Sequence, residues 1–128
     1  MVRGVPPEGT EIEDMKLVIE VRDLKPLSVL RNRLGTSVIA KNVNLELSAK
    51  IMENRETKVN LEISDVKLDD VLAILPSIIE RFGLAEIMMK ISLEIVPIDG
   101  RSFKMPTLSE EELSALSKHK VVYKPVKR

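Results

Sequence analysis

The side chains able to do chemistry in this 128-residue chain are almost all carboxylates and amines, 20 acidic against 20 basic. Cysteine is absent and the single histidine is His119. Disulfides, thiol catalysis and Cys-based zinc sites are therefore excluded, and a Ser-His-Asp triad would have to recruit His119. A Gly-rich phosphate loop, a dinucleotide fingerprint, a nucleophile elbow, His-based metal spacing and a calcium loop are all missing. Acid–base chemistry by paired carboxylates remains. Asp69 and Asp70, Asp99, and Glu110 to Glu112 are the candidates, yet each has a structural role. The first pair suits a helix N-terminal turn, Asp99 a hairpin turn, and the glutamates a helix start. The reading is a non-enzyme with no catalytic residue, no metal and no cofactor.

Binding surfaces are the other option. Met88 and Met89 with Met105 could line an adaptable apolar groove. Met89 falls on the core phase of its segment, whereas Met88 alternates out of it. The net charge of zero hides an asymmetry: residues 1–52 sum to +1, residues 53–112 to −6 and residues 113–128 to +5. Five cations are too few for strong phosphate binding at physiological salt, and Phe82, Phe103 and Tyr123 are the only aromatic side chains for base stacking. Nucleic acid is thus an unfavoured partner. The candidate partner surface is Met88, Phe103, Met105, Lys118, Lys120, Lys124, Lys127 and Arg128.

The elements that must position these residues follow from period. Residues 1–14 hold Gly4, Pro6, Pro7 and Gly9 with an acidic patch of Glu11, Glu13 and Asp14, and read as a mobile lead-in. Leu17, Ile19 and Val21 alternate with Val18, Glu20 and Arg22, predicting a half-buried strand over 15–22. Residues 24–34 are ambiguous. Pro26 suits a first helical turn and Gly35 a cap, but Lys25-Pro26 equally favours extended chain. Val43, Leu45, Leu47, Ala49 and Ile51 place a strand at 37–52, and Val59, Leu61 and Ile63 place its hairpin partner at 57–64.

Between Ser64 and Gly83 the period lengthens: Leu68, Val71, Leu72, Leu75, Ile78, Ile79 and Phe82 make an amphipathic helix over 66–82. Pro76 should kink or break it near Ala73 to Pro76. Strands at 86–98 and 101–106 follow, joined at Asp99-Gly100 and stopped by Pro106. Ser109 with Glu112 is a capping box for a helix over 110–118. The division is lead-in, one α+β domain over 15–118 and a basic tail over 119–128. The expected core is Ile19, Val43, Leu45, Leu47, Leu61, Ile63, Leu72, Leu75, Ile79, Ile91, Leu93 and Phe103.

Three segments share an order with a known family. They are Glu56-Thr-Lys-Val-Asn-Leu-Glu-Ile-Ser64, Leu68-Asp-Asp-Val-Leu-Ala-Ile-Leu75, and Met89 through Pro106 with its Asp99-Gly100 turn. Over residues 56–108 the chain resembles the water-stress and hypersensitive-response domain of late-embryogenesis-abundant group 2 proteins. That family's Asn-Pro-Asn loop would fall at Asp23-Leu-Lys-Pro26, where only the proline stands. The resemblance implies an antiparallel β-sandwich of about five or six strands with one main helix. It also implies a non-enzymatic, stress-related binding or protective module with apolar ligand or membrane contact.

The periodicity alone admits an alternative. With 24–34 helical, the order contains the split βαβ of ferredoxin-like folds, a single sheet with helices on one face. Neither fold settles the activity, and the alternative function is an interaction subunit of a larger protein or nucleoprotein assembly. No run of 18 apolar residues occurs and the N-terminus lacks an apolar signal core, so a cytoplasmic protein without a transmembrane segment is expected. Glutamine is absent and Lys plus Glu supply 26 of 40 charges, a composition typical of thermophiles. A homodimer, or one protein partner, is expected through the 86–106 hairpin, with the basic tail docked on the neighbour's acidic segment.

Overall fold

The computed structural model describes residues 1–20, 24–52, 55–81 and 86–127. In order they form β1 (Val2–Arg3), β2 (Glu11–Glu20), α1 (Lys25–Leu34), β3 (Val38–Met52), β4 (Arg55–Val66), α2 (Leu68–Arg81), β5 (Glu86–Pro97), β6 (Phe103–Lys104), α3 (Glu110–Ser117) and β7 (Lys120–Pro125). The fold is α+β and β-rich, as expected. Its strands lie in one antiparallel sheet rather than the two of a sandwich, in the order β1-β7-β2-β5-β3-β4 with β6 beside β2.

The reason for one sheet is the helical layer. Residues 24–34 do form a helix: Pro26 occupies the first turn, Leu27, Val29, Leu30 and Leu34 are buried, and Gly35 closes it at φ 56°. α1 contacts both α2 and α3, so all three sit on the same side. They cover the apolar face that a second sheet would otherwise have to cover. Each of α1 and α2 joins two parallel strands with one antiparallel strand between them, β5 inside β2-α1-β3 and β3 inside β4-α2-β5. The split βαβ unit therefore occurs twice, interlocked. α2 runs unbroken through Pro76, an exposed position.

Cross-strand register builds the core in rows. Val121, Leu17, Leu93 and Val43 make one row, and Ile19, Ile91 and Leu45 the next; all are at most 5% exposed. Leu75 and Phe103 are buried with them, while Ile63 and Leu72 are only partly covered and Leu61 is 36% exposed. Leu61 fails as a core residue because β4 is the outermost strand, beyond the helical cover. The side chain of Ile79 lies outside the described residues, as do Val21 and Arg22 of the expected first strand.

Both termini differ from expectation. The lead-in is anchored: Val2 and Arg3 pair with Tyr123 and Val122, and β2 begins at Glu11. Its acidic residues are strand residues, because Ile12 and Met15 bury their side chains. The basic tail is likewise a strand, lodged between β1 and β2, with Val121 and Tyr123 buried. Two buried side chains in six residues suffice to dock it on β2 despite the surrounding lysines. β5 is flanked by β2 and β3, and β6 pairs with β2 rather than with β5, so residues 86–106 do not form the expected hairpin.

Candidate functional site

Since the helices occupy one face of the sheet, the side chains of opposite phase form an open face. Its chemistry is concentrated at two places. The first lies where β2, β5 and β3 run side by side. Lys16 stands opposite Glu94, and Glu94 opposite Asn42; the Asn42 amide Nδ2–H donates to Glu94 Oε2 at 2.9 Å. Asp14, at the irregularity between Ile12 and Asp14 in the β2–β7 ladder, hydrogen-bonds Glu94. Burial pushes the Asp14 carboxyl up to about 6, and the Glu94 hydrogen bond and charge push the same way. Lys16 and Lys41 pull against them.

Glu94 is held below its usual range, mainly by that hydrogen bond from Asp14, with help from Asn42 and the two lysines against its own desolvation. Below about pH 6 the pair holds a proton on Asp14, with Glu94 as its acceptor. Asp14 Oδ1 and Asn44 Oδ1 are enclosed without a hydrogen-bond partner among the described residues. No group of three or more potential metal ligands gathers among the described residues.

The second place is a hollow of about 730 Å³ over the far end of β3, β4 and β5, where Glu20, Glu46, Ser48, Lys58, Met88 and Lys90 contribute to the lining. Register sets Lys90 between Glu20 and Glu46, and Met88 opposite Ser48. Met88 is 76% exposed, the most exposed large apolar side chain described. Its alternation is out of core phase, and the structure explains why: the three described helices all lie on the other face.

The remaining candidate residues are scattered. Phe103 and Met105 are 6% and 2% exposed: Phe103 pairs with Ile12 of β2, and Met105 exchanges backbone hydrogen bonds with Gly9 and Thr10 just before that strand. Lys118, Lys120 and Lys127 are exposed, Lys124 reaches Glu13 at 3.1 Å, and Arg128 lies outside the described residues. Lys120 and Lys124 share the open face with Met88 but stand on β7, two strands away from β5.

The acids read as structural do structural work. Asp69 pairs with Arg31, joining α2 to α1. Glu111 meets Lys25 at 2.8 Å, and Arg33 forks onto Glu112 with Nε 2.8 Å from Oε2 and Nη2 2.6 Å from Oε1, joining α3 to α1. That fork and the Ser109 backbone N–H hold Glu112 down at about 2. Both arms of the capping box are formed. The Asp14–Glu94 pair, by contrast, escaped sequence reading, because 80 residues separate the partners and Asp14 lay in the segment read as mobile. The available signal was the outward phase of Glu94 on its strand.

No known protein family, characterised protein or solved structure matches the chain.

Proposed function

We propose that this protein is a small non-enzymatic binding module whose working surface is the open face of the sheet. Its ligand is a compound with an extended apolar part and polar ends. The observation that carries the reading is Met88, a flexible thioether side chain 76% exposed beside a hollow of about 730 Å³. Methionine adapts to apolar groups of varied shape, and the volume lies within the range of about 300–1,000 Å³ of small-molecule sites. The alternating charges of Glu20, Lys90 and Glu46 would hold polar groups at its margin. A protective, stress-related role is one use of such a surface.

Titration with an environment-sensitive apolar dye, such as anilinonaphthalene sulfonate, tests this. Wild-type protein should bind it saturably, and Met88→Glu should weaken binding about tenfold or more, since burying an unpaired charge against an apolar group is costly. Equal affinity of the two would sink the reading.

A second reading, interaction subunit of a larger assembly, is favoured by the exposed twelve-residue edge strand β4. Affinity purification followed by mass spectrometry should then recover one defined partner, or a second copy of this chain.

A further inference from the structure

β4 closes one side of the sheet and pairs only with β3. Residues 58–62 are all exposed, and among the described residues no backbone hydrogen bond connects 55–66 to any other element. A strand of 12 residues with one free row of N–H and C=O groups is a template for another strand. At about 3.4 Å per residue it extends for about 40 Å. Natural proteins blunt such edges with bulges, proline or inward-pointing charge. β4 has no proline, and its ladder to β3 runs without a shift from Ser64 to Glu56.

We propose that the occupant of this edge is β4 of a second copy of the chain, paired antiparallel about a two-fold axis through Asn60. The argument is self-complementarity. In a two-fold antiparallel pair, residue i of one copy faces residue j of the other with i plus j constant. Centring on Asn60 sets Lys58 opposite Glu62, twice by symmetry. It sets Val59 opposite Leu61 and, at the ends, Arg55 opposite Asp65.

Both apolar residues lie on the helix-bearing face, since they pair across β3 with Leu47 and Leu45. They are 40% and 36% exposed in the single chain, so the pairing covers four side chains that the fold itself leaves open. Neither Lys58 nor Glu62 is in an ion pair among the described residues.

Other registers lose this match. Moving the axis by one residue, which changes each pairing by two, separates Lys58 from Glu62. Moving it by two residues sets Lys58 against Lys58 or Glu62 against Glu62, and like charges directly opposite destabilise. A pairing with an odd sum would set helix-face side chains against open-face ones. One register therefore satisfies charge, apolar contact and face together. The result is a continuous sheet through both copies, its seam bordering the hollow beside Met88 at Lys58, Val59 and Asn60.

Sedimentation velocity of the full chain, of Lys58→Glu, of Glu62→Lys and of the double variant tests the register. Wild type should dimerise. Each single reversal turns two facing attractions into repulsions, which at about 0.2–1 kcal/mol per cross-strand pair should raise the dimer dissociation constant about tenfold. An equimolar mixture of the two singles restores both opposite-charge pairs and should form mixed dimers, and the double variant should dimerise alone. Circular dichroism of each single variant should match wild type, since the positions are exposed. A monomeric wild type at every soluble concentration, single variants dimerising as wild type does, or a mixture that stays monomeric would each overturn the proposal.

Discussion

The two sides of the sheet differ in how well their apolar residues are covered. Around β2 the core is complete: Leu17, between Val121 of β7 and Leu93 of β5, and Ile19, beside Ile91 of β5, are fully enclosed. Following the same row outward from Ile19, Ile91 is fully buried and Leu45 3% exposed, but Leu61 on β4 is 36% exposed. The next row ends on Val59 at 40%. The opposite margin is closed by β1, only two residues long, a short edge that resists pairing. One margin is thus finished within the chain, and at the other, among the described residues, Val59 and Leu61 stay open.

The most damaging way to break this contrast is to remove β7 from the finished side. A form ending at Ser117 would expose the β2 ladder and uncover Met15 and Leu17, which lose Tyr123 and Val121. Loss of the cooperative thermal transition is expected, monitored by circular dichroism. A folded truncated form would mean that β2 and β5 carry the core alone.

Single truncations sharpen it. Ile91→Ala, in the enclosed part of the row, should cost about 2–5 kcal/mol in denaturant titrations, whereas Leu61→Ala at its outer end should cost less than about 1 kcal/mol in the monomer. Equal losses would erase the distinction between the two sides. On the helical layer, Ser109→Ala removes the side-chain acceptor from the Glu112 N–H and disrupts the reciprocal cap, at a cost of about 1 kcal/mol.

This gradient also explains what could be read from the sequence. Long segments with unbroken period two or period 3.6, such as Val43 to Ile51 or Leu68 to Ile78, disclosed themselves because alternation reports which side of an element is apolar. It does not report whether another element covers that side. Leu61 carries the same phase as Leu45 and so looked like core. At the termini the converse holds: Ile12, Val121 and Tyr123 are too few to form a pattern, yet each is buried once paired with a neighbouring strand. Whether strands close into one sheet or two depends on such pairings, which local periodicity does not encode. The Asp14–Glu94 contact, made across the β2–β5 ladder, was hidden in the same way.

The smallest expected effect concerns that contact, and it separates the two sides by pH. Asp14 belongs to the finished side, and its carboxyl is raised from 3.8 to about 6 by burial and by Glu94. The folded state therefore holds this proton more tightly than the unfolded chain does. Its contribution to stability is complete below 3.8 and is lost as pH rises towards 6, because the unfolded state ionises first. Glu94 acts oppositely: its lowered value adds stability above 4.5 that is lost as pH falls further.

Between pH 3.8 and about 6 the Asp14 contribution should accordingly fall, lowering wild-type thermal midpoints relative to those of Asp14→Asn. Asp14→Asn keeps an amide donor for Glu94 but has no proton to lose, so its midpoints should be flatter over the same interval. Leu61→Ala, on the unfinished side, should retain the wild-type slope. An unchanged slope in Asp14→Asn would show that the shared proton resides elsewhere, and would remove the pH contrast between the two sides while leaving the packing contrast intact.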